Sequence, residues 1–461
     1  MKPFRLPTAA SMLAGSFAVI SSVAPAQDDV TQLKQQVDEL DQKIRVLQRL
    51  QEIDKEAAAG KSKETASVAA GPEGFGIRSA DNAFRLNFHG DLQFDSRSYL
   101  GTRLSSPPGT QTPDTLLIRR ARPIIEVTLY DKYDFRVMPD FGGGQTVLFD
   151  AYGQARFAPE IQLRAGKFKP PVGLEQLQVD DNLFFAERSL ATDLVPNRDV
   201  GLQLQGDLFG GALSYALGVF NGVVDAANAD VDSNSGKDAE ARLFAKPFKN
   251  GSVEALRGFG FGVAYTTGRQ TGTSTTANLP TYKTIGQQAF FGYSSGAFAD
   301  GTRQRISPQF YYYVGPFGLL SEYVRSSQQV TRGGLRQDVE NRAWQVSVGW
   351  VLTGENATFE GVTPRLPIVP GTDGWGAFQL VARVSKLTVD DSAFTGTTAT
   401  QLADPASSAR EARDAGVGLN WYVSHLIRMS VDYDRTKFRG GIGGSDRPDE
   451  KVLISRLQFA F

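Results

Sequence analysis

The chain has 461 residues, a formal net charge of −1 at pH 7, 48 Gly, 30 Phe and 14 Tyr, no Cys and two His. This composition excludes disulfide frameworks, Cys-ligated zinc and thiol catalysis, and the balanced charge argues against a nucleic-acid partner. A bundle of membrane-spanning helices is excluded too, because the only long apolar run lies at the extreme N-terminus. The Gly and aromatic content favours a β-barrel, and neither a metal nor a cofactor is expected.

Residues 1–26 are predicted to be a secretory signal peptide. Lys2 and Arg5 supply the positive start, residues 9–23 are small and apolar, and the A-x-A sequence at 24–26 is a cleavage site. A short membrane anchor is the alternative, and it fails on length and on the small-residue ending. We expect the mature chain to begin at Gln27.

Residues 27–56 are predicted to form a coiled-coil helix. Apolar residues recur alternately three and four positions apart, with β-branched residues and Leu in turn, which is a heptad seam. An amphipathic helix packed on the rest of the chain is the alternative. Residues 57–82, which begin with an Ala-, Gly-, Lys- and Ser-rich stretch, are predicted to be a flexible linker. The seam consists of Val30, Leu33, Val37, Leu40, Ile44 and Leu47.

From residue 83 the apolar residues recur with a period of two. Phe84, Leu86 and Phe88 alternate with polar neighbours, so one face of the strand is apolar and the other is polar or charged. A soluble β-sandwich would give shorter alternating runs over a sealed core. Runs of 10 to 14 residues with a charged face instead indicate lipid outside and water inside.

Counting such runs predicts that residues 83–461 form an all-β, 16-stranded antiparallel transmembrane β-barrel. Tight turns join successive strands at one end, and most connections at the other end are long, as in outer-membrane barrels with short periplasmic turns. The chain ends on Phe461, and a terminal Phe that closes an alternating strand resembles the assembly signal of bacterial outer-membrane barrels. The strands are predicted near 83–95, 115–130, 133–141, 146–157, 161–169, 201–208, 212–222, 238–248, 258–268, 303–314, 317–326, 342–354, 376–389, 412–423, 426–438 and 452–461.

Four motifs in order resemble the phosphate-selective porin O and P family: LIRRARP at 117–123, RAGKFKPPVGLE at 164–175, ERS at 187–189 and PNRDVG at 196–201. The resemblance covers almost the whole mature chain. It implies an outer-membrane porin that assembles as a homotrimer, with a periplasmic coiled coil and a third long loop folded inward as the constriction.

Arginine side chains on the predicted inner faces can bind anions transiently, because a guanidinium group stays charged and offers a planar fork of donors. Several weak sites in series let an ion enter and leave. Asp91, Asp134, Asp140, Asp150 and Asp432 share these faces, so a channel without a preferred ion is the alternative. The inward arginines are Arg85, Arg120, Arg122, Arg136, Arg156, Arg164, Arg305, Arg383 and Arg428.

The resemblance places the constriction at Arg119, Arg120 and Arg188, and we expect Arg122 and Arg164 to add to the anion path. Arg119 and Arg120 are adjacent, so both reach the lumen only if the strand contains a bulge.

The third loop departs from phosphate-specific members of that family. Where those have a lysine with serines, residues 178–182 of this chain read QVDDN. We expect Asp180 and Asp181 to weaken the selectivity for anions, because carboxylates beside the path repel them.

The sequence therefore predicts an outer-membrane porin for small inorganic anions such as phosphate or polyphosphate. A weakly selective porin for small polar solutes and an envelope tether, in which the coiled coil contacts the cell wall, remain alternatives. Catalysis is disfavoured, because neither His89 nor His425 lies on one strand face with a nucleophile.

Overall fold

The computed structural model describes residues 26–64, 66–71, 74–100, 113–371, 373–443 and 445–461. The predicted signal peptide, apart from its last residue, lies outside the described residues. The chain divides between an N-terminal helix and the rest into two compact units. Among the described residues, no helix combines the length and the hydropathy that spanning a bilayer requires.

Helix α1 spans Ala26–Glu64. It continues eight residues beyond the predicted end at 56, because the run of three alanines that follows has the highest helix propensity of any residue type. The seam side chains that the structure describes, from Leu33 to Leu47, are all exposed, with Leu33 at 64%, Val37 at 59% and Leu40 at 57%. Packing within the helix therefore does not bury the apolar side chains of the seam.

Residues 57–82, for which the sequence predicts a flexible linker, contain regular secondary structure. Besides the end of α1, this segment contains an antiparallel hairpin of strands Ser67–Gly71 and Gly74–Arg78. The second hairpin strand pairs with the first barrel strand, Phe75 opposite Phe88. The hairpin therefore covers the part of that strand's edge that the last strand of the barrel leaves free.

Sixteen antiparallel strands close into a barrel, as the alternation predicts. Each strand pairs with the next, and the last pairs with the first, from Val452 opposite Tyr99 to Ala460 opposite Asp91. The strands are β1 Phe84–Tyr99, β2 Thr115–Leu129, β3 Tyr133–Asp140, β4 Val147–Ala158, β5 Ile161–Phe168, β6 Asp199–Leu208, β7 Leu213–Phe220, β8 Asp238–Ala245, β9 Phe259–Thr271, β10 Phe298–Val314, β11 Phe317–Arg332, β12 Leu335–Val351, β13 Ala377–Thr388, β14 Ala409–Tyr422, β15 Ile427–Ile442 and β16 Glu450–Ala460.

The two faces of the strands differ as a membrane requires. On β15, Met429 and Val431 are more than 40% exposed on the outer face, while Arg428, Ser430 and Asp432 are buried on the inner face. Apolar side chains that face outward meet lipid, and the inward polar side chains meet each other and the loops.

The C-terminal residue is built into the barrel. The backbone of Phe461 exchanges two hydrogen bonds with Gly90, at 2.9 and 3.0 Å, and its ring lies 6.0 Å from those of Phe75 and Phe88. A side chain at Gly90 would meet the Phe461 ring. The glycine therefore leaves the space that the terminal aromatic residue occupies.

One outer connection differs from the sequence prediction. Strands β11 and β12 run about six residues further than predicted and are joined by Gly333 and Gly334, whose φ angles are 58° and 80°. Left-handed conformations at both turn positions match the twist of a hairpin and favour glycine. The connection after β3 is brief and the connection after β12 is long, as the predicted strand bounds imply.

A large apolar cluster fills part of the lumen. It joins the connection between β5 and β6 to the connection between β9 and β10 and to inward side chains of the wall. This cluster occupies space that water would fill in an open barrel. Its members include Val172, Leu190, Leu194, Tyr282, Phe290, Phe291, Val324, Val339 and Leu387.

Candidate functional site

The connection between β5 and β6, residues 169–198, folds into the barrel and is called loop 3 here. Lys169-Pro170-Pro171 ends β5, since proline cannot donate to the ladder. Gly173 follows with φ of 80° and precedes the short helix Leu174–Leu177. Two 3₁₀ turns, Asp180–Asn182 and Leu190–Leu194, complete the loop.

Polar side chains on the part of the barrel wall that includes β11 and β15 bind the backbone of loop 3. Glu322 of β11 accepts hydrogen bonds from the amides of Leu174 (2.6 Å) and Glu175 (3.2 Å), and Asp432 of β15 accepts one from Ala186 at 2.6 Å. Loop 3 therefore lies against this part of the wall. On its other side is a cavity that side chains of β1–β8 line. Arg383, Asn420, Arg428 and Arg456 donate to further loop carbonyls.

The bulge that the adjacent arginines require is present in β2. The register between β1 and β2 shifts so that Gln93 faces Arg120 and Phe94 faces Ile118, which leaves Arg119 as the extra residue. Asp140 fixes this bulge, because one of its carboxylate oxygens accepts hydrogen bonds from the amides of Ala121 (3.1 Å) and Gly142 (2.9 Å). Both arginines consequently reach loop 3.

Two carboxylates of loop 3 each form ion pairs with three arginines. Asp180 pairs with Arg120 (3.3 Å), Arg122 and Arg188. The side chain of Asp180 is 5% exposed, so these charges attract each other with little screening by water.

Glu187 is the second such carboxylate. It pairs with Arg119 through two bonds (2.6 and 3.0 Å) and with Arg97 (2.6 Å) and Arg456 (3.0 Å). Burial by itself would raise the pKa of both carboxyls. The guanidinium groups outweigh burial and hold the pKa of Asp180 and of Glu187 well below their ordinary values.

Two cavities lie on either side of this network. The cavity toward the short turns has a volume of about 440 Å³, and the one toward the long loops about 460 Å³. Arg122, Asp180 and Arg198 line both cavities. These three side chains therefore mark the boundary between the cavities.

Sequence reasoning missed Arg198 and Glu187 as site residues, although both lie in the quoted motifs of loop 3. Arg198 donates to Asp150 at 3.1 Å and lies over the ring of Phe149, with 4.8 Å to the ring centre. Arg122 lies over the same ring at 4.2 Å. The shared ring fixes the two guanidinium groups next to each other.

The other predicted site residues take different positions. Arg164 lies in the cavity toward the short turns and donates to Gln154 at 2.6 and 2.8 Å. Asp181 lines that cavity too, and its carboxylate accepts a hydrogen bond from Gln458 at 3.2 Å.

Three inward arginines are committed to protein partners. Arg305 pairs with Asp225 (2.6 Å) and Asp238 (3.1 Å), Arg383 pairs with Asp434 (3.2 Å), and Arg428 donates to loop 3 carbonyls. They point inward as the alternation predicts, but they fasten loops instead of lining an open path.

The family model described as "Phosphate-selective porin O and P" matches residues 95–461. Porin O of Pseudomonas aeruginosa is 22% identical over 413 residues, which cover 84% of this chain and 91% of that protein. Among solved structures, the outer-membrane channel DcaP of Acinetobacter baumannii aligns with a TM-score of 0.53 and 12% identity, over 84% of this chain and 99% of that one. An anion-selective porin from Comamonas acidovorans aligns with a TM-score of 0.51 and 10% identity, over 82% and 100%. At these identities the two solved structures support the fold alone.

Proposed function

The chain belongs to the phosphate-selective porin O and P family, and we propose that its pore preferentially conducts small inorganic anions, phosphate among them. Membership in this family makes the protein a porin of the bacterial outer membrane and a channel rather than an enzyme. Porin O, the curated relative, has 91% of its length covered by the match.

The observation that carries the proposal is the charge at the boundary between the two cavities. Cationic side chains there outnumber the carboxylates that pair with them, so a positive field remains at this boundary. Arg119, Arg120, Arg122 and Arg188 form the proposed constriction, and Arg164 lies next along the path. The basic side chains at this boundary are Arg119, Arg120, Arg122, Lys169, Arg188 and Arg198. The carboxylates paired with them are fewer, namely Asp140, Asp150, Asp180 and Glu187.

A weakly selective porin is the second candidate, and the pairing of Asp180 favours it. This carboxylate neutralises part of the charge of three arginines, and Asp181 adds a further negative group to the cavity below. Both aspartates therefore act as selectivity modulators in this proposal.

Reversal potentials in asymmetric KCl decide between the two candidates. The purified protein is inserted into a planar bilayer, and the sign of the zero-current potential reports whether chloride or potassium passes more readily. We expect chloride preference, and block of the chloride current by added phosphate. A potential near zero supports the weakly selective porin, and cation preference contradicts the proposal.

We further propose that the protein is a homotrimer and that α1 associates with the same helix of other copies in the periplasm, where it contacts the cell wall. Two features support this proposal. The exposed seam of α1 continues through Ile44 (51%) and Leu47 (65%), and apolar residues at such spacing are buried when helices supercoil. Trimeric assembly is also what the family resemblance implies.

A further inference from the structure

The cavity between loop 3 and the short turns carries an unusual combination of side chains. Polar groups line its wall, but loop 3 presents Val179 to it with 51% of that residue exposed. Most other large apolar residues of loop 3 are sealed, with Leu174, Leu183 and Leu190 at 1% and Leu194 at 0%, while Leu177 and Phe184 are half-buried. Val179 therefore contributes exposed apolar surface to this cavity.

The facing wall contributes apolar groups where the alternation calls for polar ones. Ile124 of β2 and Met138 of β3 occupy inward positions and line the same cavity as Val179. Leu177 of loop 3 lines this cavity too and is half-buried. The cavity thus has an apolar surface at its upper end, next to the Arg122 boundary.

Three cations of this cavity are bound only to neutral groups. Arg164 donates to the side chain of Gln154, Arg242 to that of Gln309 at 2.9 Å, and Lys169 to the backbone oxygen of Gln178 at 2.7 Å. Within the described part of the chain, none of the three has a carboxylate as ion-pair partner. Arg164 and Arg242 therefore keep charges that are available to a solute, whereas burial and the nearby arginines lower the pKa of Lys169 well below its ordinary value.

We propose that this cavity binds organic anions, in which a charged head group is carried on an apolar body, as they pass through the pore. The inference rests on the proposed anion conduction and names a solute class within it. Arg164 and Arg242 attract the head group, Lys169 donates a hydrogen bond to it, and Val179, Leu177 and Ile124 cover the apolar body. A cavity of about 440 Å³ is within the range that holds small organic ligands.

The test compares two blockers with the same head group. Chloride current through single channels is titrated with inorganic phosphate and with phenyl phosphate. We expect phenyl phosphate to block about tenfold more strongly, because its ring removes apolar surface from water. Equal or weaker block by phenyl phosphate overturns the inference, whereas cation preference of the unblocked channel overturns the proposed anion conduction.

Matched variants locate the effect. Val179→Thr replaces a methyl group by a hydroxyl group at nearly unchanged shape, and Ile124→Thr replaces an ethyl group by a hydroxyl group. Each should lower the ratio of the two blocking constants by about threefold, because each makes the cavity surface less apolar. Val231→Thr, a residue that is 79% exposed in the connection between β7 and β8, makes the same chemical change elsewhere and should leave the ratio at its wild-type value. Heat-modifiable mobility on gels confirms that each barrel is folded. An unchanged ratio in both cavity variants places the ring elsewhere and contradicts the proposal.

Discussion

Arg188 contributes its charge directly beside the boundary between the cavities. It pairs with Asp180 and also donates to the backbone oxygens of Glu175 (3.1 Å) and Gln178 (2.8 Å). Asp180 has two further arginine partners. Removing the Arg188 charge therefore leaves this carboxylate paired but reduces the positive field around it.

We expect Arg188→Gln to lower the chloride-to-potassium permeability ratio by about threefold at low salt, since a partly screened charge contributes on the order of 0.5–1 kcal/mol. Arg85→Gln is the control, because Arg85 pairs with Asp131 (2.6 Å), whose side chain is 63% exposed at the barrel rim. Reversal potentials of both variants provide the measurement. A larger effect of the Arg85 change would contradict the placement of the constriction.

The two aspartates of loop 3 are expected to respond differently to loss of charge. Asp181→Asn removes a negative group from the cavity wall and should raise both chloride preference and block by phosphate. Asp180→Asn leaves Arg120 and Arg188 without a carboxylate partner in the described part of the chain, while Arg122 keeps Asp140 at 2.7 Å, and a broken buried pair costs about 3–5 kcal/mol. That variant should lower the thermal stability of the folded barrel in detergent. If Asp181→Asn leaves selectivity unchanged at low and high salt, that carboxylate lies away from the ion path.

The sequence predicts the inward direction of single side chains well and their partners poorly. Strand period two places Arg305 and Arg383 inward, and the two adjacent arginines of β2 require the bulge that is found. The pairing of Arg122 with Asp180 joins residues 58 positions apart through a loop that crosses the lumen. No local pattern reports such a contact, so Arg198 and Glu187 could be found only through their motifs.

At the scale of elements, loop 3 depends on carboxylates that accept its backbone amides. The carboxylate of Glu322 accepts hydrogen bonds from two backbone amides at the start of the short helix. The first N–H groups of a helix have no partner within the helix, so Glu322 supplies one. This contact orients the part of loop 3 that leads into the Asp180 turn.

We expect Glu322→Ala to loosen loop 3 and to increase spontaneous closures of single channels under applied voltage, because it leaves both amides unpaired. Glu322→Gln retains an oxygen that accepts one of the two bonds and should show an intermediate closure frequency. Single-channel recordings over a range of voltages give the comparison. Identical closure statistics in wild type and Glu322→Ala would show that the remaining anchors suffice.

The ends of the strands show where the alternation of apolar and polar residues no longer predicts the structure. Alternation is strong where one face meets lipid, and it fades in the outer parts of β11 and β12, where Gln328 and Gln329 face water or loops. The predicted boundaries therefore fell short there, and the Gly333-Gly334 turn was not recognised. In the predicted linker, five-residue strands gave too short a pattern to be recognised.

At the scale of the whole molecule, the exposed seam of α1 is the surface through which copies of the chain are proposed to associate. Val37 and Leu40 occupy successive seam positions, whereas Gln42 lies at the outermost position of the same heptad. The chain contains no Cys, so a single introduced thiol can report contacts between copies without interference from others.

If α1 forms a parallel coiled coil between copies, Leu40→Cys should place two thiols within disulfide distance, since facing Cβ atoms about 3.5–4.5 Å apart can be bridged. The oxidising periplasm should then yield a covalent dimer on non-reducing gels. Gln42→Cys should stay monomeric on the same gels, and native mass measurement of the unmodified protein in detergent should give a trimer. Equal cross-linking of both variants, or none in Leu40→Cys, would leave the seam without a role in assembly, and a native mass of only monomer or dimer would refute the trimer.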